Sequence, residues 1–240
     1  MATFGSLFAG IGGLDLGLER AGWTCRWQVE RDPFCLRVLA KHWPAVARYG
    51  DIVALDPERL EAVDLICGGF PCQPVSVAGK RLAQADARWL WPEFSRIVRA
   101  LRPRLVLVEN VPGLLVRGFG DVVGDLAASG YDAEWDCIPA AAVGAPHRRD
   151  RVWLVAHAAS KGLQDGANVA VGEPGANAEL ERSDWWAVEP DVGRVAHGVP
   201  ARVDRLRGLG NAVVPQVAEW IGRRLMATMA LPPRPPERAR

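Results

Sequence analysis

Short apolar runs alternate with amphipathic segments along the first 157 residues of the chain. Runs of aliphatic residues predict strands, and segments with apolar residues three or four apart predict helices. The segment 105–108, Leu-Val-Leu-Val, is apolar throughout, as expected of a strand buried on both faces. The predicted strands are 3–8, 24–30, 65–68, 105–109, 133–138 and 152–156, and the predicted helices are 14–21, 33–42, 91–101 and 121–129. This alternation predicts an α/β fold with a doubly wound, mostly parallel sheet.

The alternation stops near residue 160, and Gly, Ala, Asn, Asp and Glu dominate as far as residue 192. A segment of that composition without periodicity predicts a long irregular region. Order returns at 203–210, and a helix is predicted from about Pro215 to Met229. The proline-rich C-terminus cannot be helical. We therefore predict a main domain at 1–157 and 208–231, a small irregular region at 158–207 and a flexible tail at 232–240.

The composition is typical of a soluble globular protein, with 49% hydrophobic and 24% charged residues. No apolar stretch reaches the roughly 18 residues of a membrane span. The N-terminus lacks a basic lead before an apolar core, so we expect no signal peptide and a cytoplasmic protein. The net charge of +1 does not by itself indicate a nucleic-acid partner, but arginines cluster at 147–151 and 194–207. Arginine suits contacts with phosphates and base edges.

The five cysteines are irregularly spaced, with no CxxC pair and no histidine at zinc spacing. We therefore expect neither a metal site nor a disulfide framework. Cys25, Cys35, Cys67 and Cys137 lie in apolar sequence and are predicted to be small core residues. Cys72 differs because it lies between Pro71 and a glutamine, directly after a predicted strand and a Gly-rich turn.

A second Gly-rich turn, at residues 8–13, follows the first predicted strand and precedes the first predicted helix. Glu30 stands twenty residues after Gly10, where an acid accepts hydrogen bonds from ribose hydroxyls. Asp51 is placed to accept a hydrogen bond from an adenine amino group, with Ile52 against the ring. The turn reads Gly-x-Gly-Gly and lacks the Gly-Lys-Ser/Thr of a P-loop. It therefore favours a nucleoside without a pyrophosphate, such as S-adenosylmethionine.

Four segments in order resemble the DNA (cytosine-5) methyltransferase family, most closely its small phage- or prophage-type members. They are the turn at 8–13, Pro-Cys-Gln-Pro at 71–74, Glu-Asn-Val at 109–111 and Gly-Asn-Ala-Val-Val-Pro at 210–215. The resemblance covers 3–157 and 203–222. It implies a Rossmann-like S-adenosylmethionine-dependent methyltransferase fold, with a target-recognition region at 158–207. It also implies double-stranded DNA as the partner, and a monomer.

The resemblance implies that a methyl group moves from S-adenosylmethionine to carbon 5 of a flipped-out cytosine. Carbon 5 is a poor nucleophile, so a thiolate, Cys72, first adds to carbon 6. Glu109 follows a buried strand, where burial raises a carboxyl pKa and makes it a proton donor to ring nitrogen 3. The family pattern implies that Arg151 contacts the cytosine O2 atom and that Arg149 supports the active-site loop. Asn211 would hold the cysteine loop.

The resemblance also implies two further sets of residues. The cofactor-binding residues are Phe8, Ala9, Gly10, Ile11, Gly12, Gly13, Glu30, Arg31, Asp51, Ile52, Pro71, Leu90, Asn211 and Ala212. The DNA-binding residues are Gln73, Ser76, Lys80, Arg81, Arg182, Arg194, Arg202 and Arg205. The sequence departs from the family at Ser6, where many relatives carry Asp, and at His147, which replaces Gln.

Three alternatives remain open at this point. A branch of the same family methylates tRNA, but it usually carries Pro-Pro-Cys-Gln and a Cys-Phe-Thr element, and Phe70 precedes Pro71 here. A catalytically silent DNA-binding protein would be expected to have lost at least one of the four family residues Cys72, Glu109, Arg151 and Asn211. A small-molecule methyltransferase would not need the cysteine and glutamate pair. Any restriction nuclease would have to be a separate partner.

Overall fold

The computed structural model describes residues 1–71, 89–159 and 202–230 of the chain. Within these residues, seven strands form one sheet, and six α-helices flank it. The strands are β1 (Thr3–Leu7), β2 (Thr24–Val29), β3 (Ala47–Tyr49), β4 (Leu65–Gly68), β5 (Leu105–Asn110), β6 (Tyr131–Ile138) and β7 (Arg151–Ala158). The helices are α1 (Gly13–Arg20), α2 (Pro33–His42), α3 (Trp91–Leu101), α4 (Phe119–Ala128), α5 (Arg202–Asn211) and α6 (Pro215–Ala230).

The strand order in the sheet is β3-β2-β1-β4-β5-β7-β6. Neighbouring strands from β3 to β5 are parallel, and β7 runs antiparallel to both β5 and β6. The predicted doubly wound, mostly parallel sheet is therefore confirmed. The chain reverses its winding direction between β1 and β4, and such a switch point opens a crevice at the carboxyl ends of the strands.

The two faces of the sheet bury separate cores, because successive side chains of a strand point to opposite faces. Along β5, Leu105 and Leu107 pack with α1 and α6, and Val106 and Val108 pack with α3 and α4. The same alternation runs through β4, where Ile66 lies on the α3 side. Helices cover both faces of the sheet, which explains why residues 65–67 and 105–108 are apolar at every position.

The structure corrects one prediction and refines several bounds. Cys137 is exposed on the edge strand β6, whereas Cys25, Cys35 and Cys67 are buried as expected. The prediction for Cys137 was wrong because β6 is at the edge of the sheet, where one face is open to solvent. The short edge strand β3 has no apolar run, and it is therefore absent from the predicted strands. Helix α5 crosses the predicted boundary at 207/208.

Within residues 1–71, 89–159 and 202–230, no helix is long and apolar enough to cross a membrane. The predicted flexible tail at 232–240 lies outside the described residues.

Candidate active site

The Gly-rich turn connects β1 to α1 at the switch point of the sheet. Phe8 and Gly10 both adopt positive φ angles, 54° and 56°, so the backbone turns sharply here. A Cβ atom built on Gly10 meets nothing within 4 Å, which means that this position opens onto free space. Gly12 has another role: it is the N-cap of α1, and its Cα packs against the Trp43 ring. The backbone of the turn is therefore accessible to a ligand at Gly10, whereas Trp43 covers it at Gly12.

Glu30 follows β2 and holds the turn in place. One carboxylate oxygen accepts a hydrogen bond from the Gly10 N–H at 2.8 Å, and the other accepts one from the Asp32 N–H at 2.8 Å. A carboxylate has about four acceptor positions, so both oxygens retain capacity for ribose hydroxyls. Asp32 caps α2 by accepting hydrogen bonds from the Phe34 and Cys35 N–H groups.

The turn is one end of a continuous cleft of about 840 Å³. Asp51 and Ile52 form part of the wall beyond β3, with Asp51 exposed and Ile52 buried. Gly50 also lines the cleft, and a Cβ there would meet nothing within 4 Å. A volume of this size is typical of small-molecule sites.

The other end of the cleft holds an acid and an arginine. The Arg151 Nε atom lies 3.0 Å from Glu109 Oε1, and only 12% of the Glu109 side chain is exposed. Burial raises the pKa of the Glu109 carboxyl, and the positive charges of Arg151 and Arg149 offset this effect only in part. The site therefore contains a carboxyl group that is easier to protonate than an ordinary glutamate and is oriented by a fixed cation.

Gly69 and Asn110 connect this acid to the segment that leads to Cys72. A Cβ atom on Gly69 would lie 2.8 Å from Glu109 Oε2. Any residue other than glycine at position 69 would therefore displace the Glu109 carboxyl. The Asn110 side chain is buried and donates a hydrogen bond to the Phe70 carbonyl at 3.0 Å. The end of β5 thereby fixes the backbone two residues before Cys72.

Arg149 binds the segment after α5. Its guanidinium donates hydrogen bonds to the Gly210 carbonyl at 2.8 Å and the Ala212 carbonyl at 2.7 Å. The two carbonyls flank Asn211, which lines the cleft. Arg149 itself has a φ of 40°, and strain of this kind in a non-glycine residue is often found at functional sites.

The structure brings most of the predicted residues together. The cleft is lined by Glu109, Arg151 and the predicted cofactor residues other than Gly12, namely Phe8, Ala9, Gly10, Ile11, Gly13, Glu30, Arg31, Asp51, Ile52, Pro71, Leu90, Asn211 and Ala212. Arg205 is exposed on α5, and Arg202 begins that helix. The predicted residues outside the described part are Cys72, Gln73, Ser76, Lys80, Arg81, Arg182 and Arg194.

The sequence predictions missed several residues of the site. Asn110 belongs to the Glu-Asn-Val segment, but its hydrogen bond to Phe70 crosses between strands and leaves no local signal. Asp32, Arg207 and Gly208 also line the cleft. The Asp-Pro pair at 32–33 indicates a helix cap, but nothing local predicts that the ion-pair partner of Asp32 lies 175 residues away. No group of three or more potential metal ligands occurs in the part of the chain that the structure describes.

Comparison with known proteins gives a consistent match. The family model for C-5 cytosine-specific DNA methylase matches residues 2–183. The type II methyltransferase M.HgiCII of Herpetosiphon aurantiacus is 36% identical over 170 residues, which are 68% of this chain and 38% of that protein. M.AquIA of a Picosynechococcus species is 33% identical over 66% of this chain and 73% of its own length. This chain spans less than half of M.HgiCII.

Solved structures agree with the fold. A candidate DNA modification methyltransferase encoded within an E. coli prophage is 27% identical, with a TM-score of 0.56, over 66% of this chain and 47% of that one. The DNMT2 of Spodoptera frugiperda has a TM-score of 0.58 at 22% identity, over 69% of this chain and 52% of that one. At that identity, the second likeness concerns the fold alone.

Proposed function

This chain belongs to the C-5 cytosine-specific DNA methylase family, and from that premise we propose that it methylates carbon 5 of cytosine in double-stranded DNA. One observation carries the proposal. The Glu109–Arg151 pair lies in the same cleft as the Gly-rich turn and Glu30. Pro71 lines that cleft directly before Cys72, the proposed nucleophile. A nucleoside end and an acid end in one cleft suit a transfer between two bound molecules.

The residues at the nucleoside end fit S-adenosylmethionine. Gly10 and Gly50 leave open space in the wall, Glu30 and Asp51 supply acceptors for hydroxyl and amino groups, and Ile52 supplies an apolar surface for a ring. When bound, S-adenosylmethionine supplies a methyl group on a positively charged sulfur, which leaves with the bonding electrons when an electron-rich carbon takes the methyl. The remaining proposed contacts are Phe8, Ala9, Ile11, Gly13, Arg31, Pro71, Leu90, Asn211 and Ala212.

The chemistry at the other end makes carbon 5 electron-rich. In the proposed reaction, the Cys72 thiolate forms a bond to carbon 6, and the electrons of the 5,6 double bond move into the ring. The Glu109 carboxyl donates a proton to ring nitrogen 3, which neutralises the negative charge that the addition would otherwise place on that nitrogen. After the transfer, a water molecule takes the proton from carbon 5, and the 5,6 double bond forms again as Cys72 leaves as thiolate. Ring nitrogen 3 returns its proton to Glu109.

Arginines hold this end of the cleft in shape. Arg151 forms an ion pair with Glu109 Oε1. The second carboxyl oxygen, Oε2, lies beside Gly69 and is left to contact the base. We assign to Arg151 the contact with the cytosine O2 atom, because its guanidinium has several donors in a fixed fork. Arg149 holds both carbonyls that flank Asn211. We assign to Asn211 the role of holding the cysteine loop.

A cytosine inside a duplex cannot reach a cleft of this kind, so the nucleotide must leave the stack. We assign the recognition of the DNA sequence to the region 158–207, with phosphate and base contacts from its arginines and from Gln73, Ser76, Lys80 and Arg81. The relatives named above are type II methyltransferases, and a role in restriction and modification, or in protection of a phage genome, follows from the same proposal.

Bisulfite sequencing tests the proposal directly. Plasmid DNA is prepared from cells that lack other cytosine-5 methylation and express the wild type, Cys72→Ala, Glu109→Gln or the control Arg223→Ala. Arg223 forms an exposed ion pair with Glu219 on α6, and neither residue lines the cleft. We expect methylated cytosines at a recurring sequence with the wild type and the control, and none with Cys72→Ala.

The DNA result is read together with the RNA of the same cells. Unmodified DNA from folded wild-type protein would overturn the proposal. If bisulfite sequencing then shows modified cytosines in tRNA, the tRNA alternative replaces it. If neither nucleic acid is modified and the protein still binds DNA, the chain is a catalytically silent binder.

A further inference from the structure

Helix α5 covers the nucleoside end of the cleft, although it comes from the far end of the chain. Asp204, Arg207 and Gly208 line the cleft from this helix. A Cβ on Gly208 would lie 3.2 Å from Ile11 and 3.4 Å from Phe34, so α5 contacts both the Gly-rich turn and the start of α2. The helix therefore forms a wall over the place where the proposed cofactor binds.

One ion pair fastens this wall. The Arg207 guanidinium contacts the second carboxylate oxygen of Asp32, the one that does not cap α2. Asp32 is in turn linked to Glu30 through its N–H, and Glu30 is linked to the Gly10 N–H. A continuous path of polar contacts thus runs from α5 through the proposed ribose-binding acid to the Gly-rich turn.

We propose that Arg207 is a positioning residue for the cofactor, whose ion pair with Asp32 holds α5 closed over the bound nucleoside. The inference deepens the proposed function and rests on it. Arg207 is 56% exposed, and partly exposed ion pairs add little to folding stability. This pair joins two walls of a ligand cleft, so its effect should appear in the retention of the ligand.

We call the Arg207–Asp32 ion pair the clasp. Isothermal titration with S-adenosylhomocysteine, the proposed product, tests the clasp without requiring turnover. We expect Arg207→Ala and Asp32→Asn each to raise the Kd about fivefold, a loss of about 1 kcal/mol. Asn still caps α2, so Asp32→Asn removes the charge and keeps the helix start. The double variant should lose no more than Arg207→Ala alone, because both substitutions remove the pair between α5 and α2. The second contact of Arg207, with Asp204, lies within α5. Arg207→Lys should stay within about twofold of the wild type.

Two further measurements separate a clasp from a general structural effect. Raising the salt from about 50 mM to about 500 mM should weaken wild-type binding towards the value of Arg207→Ala and leave the variants almost unchanged. Arg223→Ala, which breaks a comparable exposed pair on α6, should bind as the wild type does. If Arg207→Ala does not fold, Asp32→Asn carries the test.

The outcomes distinguish the inference from the function on which it rests. If the wild type binds S-adenosylhomocysteine and both charge-removing variants bind equally well, the clasp is wrong and the proposed function stands. Additive losses in the double variant would also overturn the clasp. If the wild type neither binds S-adenosylhomocysteine nor methylates DNA, the proposed function fails and the inference falls with it.

Discussion

A buried carboxyl outside the proposed chemistry offers a sharp test of the packing. Asp15 lies in the first turn of α1 and is completely buried against the sheet. Its oxygens accept hydrogen bonds from the Ser6 hydroxyl at 3.1 Å and the Gln28 amide at 2.9 Å. Burial raises the pKa of Asp15 from 3.8 to about 6, and these hydrogen bonds offset the effect only in part.

The direction of the pH dependence follows from this shift. Between about pH 4 and pH 6, the folded protein keeps a proton on Asp15 that the unfolded chain has released, so stability falls as pH rises. Above pH 6, both states are ionised, and the folded state retains the full cost of the buried charge. Each pH unit between the two pKa values is worth about 1.4 kcal/mol, which gives a cost of about 3 kcal/mol.

Asp15→Asn removes the charge and keeps the shape. The Asn oxygen can still accept from Gln28, and its amide can donate to the Ser6 hydroxyl, which also accepts hydrogen bonds. At pH 8, we expect the variant to be more stable than the wild type by up to about 3 kcal/mol, and at pH 4 within about 1 kcal/mol of it. Urea unfolding across this pH range measures the difference.

Asp132→Asn, at an exposed position of β6, is the control and should unfold with the pH dependence of the wild type. A difference between Asp15→Asn and the wild type that stays constant from pH 4 to pH 8 would refute the reasoning. It would mean that the lost hydrogen-bond geometry decides the stability and that the buried charge does not.

Other predictions concern the active site. Glu109→Gln should lower kcat about 10²- to 10⁴-fold, the range typical of a lost proton donor, while titrated S-adenosylhomocysteine still binds; unchanged turnover would exclude Glu109 as the acid. For the unmodified enzyme, kcat/KM should fall as pH rises through the raised pKa of Glu109, and a profile that is flat there argues against this role. Gly69→Ala should also lower kcat, because its Cβ would displace Glu109 Oε2, and full activity would contradict this packing. Asn110→Asp should lower the unfolding midpoint by several degrees, since a carboxylate cannot donate to the Phe70 carbonyl; an unchanged thermal melt counts against that contact. In native protein, a thiol reagent followed by peptide mapping should label Cys137 faster than Cys25, Cys35 or Cys67, and equal rates would contradict their burial.

The strands and helices could be predicted because their signals are local. A run such as 105–108 is apolar at every position, and an Asp-Pro pair at 32–33 starts a helix, whatever the rest of the chain does. The bounds of β4, α2 and α3 agree with prediction to the residue. Edge elements were harder, because β3 and the exposed side of β6 lack the continuous burial that produces a clear pattern.

The candidate site divides in the same way. Its motif residues could be named from the sequence because each has a characteristic neighbourhood, such as Glu109 after a fully apolar strand. The environment of each residue could not be predicted. Burial of Glu109, its contact with Arg151 and the space that Gly69 leaves for it depend on how three strands lie side by side.

The sequence by itself thus determined the class of fold, the order of its elements and the residues whose side chains can take part in catalysis or binding. Only the tertiary structure decided the strand order β3-β2-β1-β4-β5-β7-β6, the reversed direction of β7 and the pairing of Arg207 with Asp32 across 175 residues. The physical reason is one of range. Periodicity and capping arise between residues a few positions apart, whereas charge pairs and buried acids depend on which surfaces meet when the whole sheet is packed.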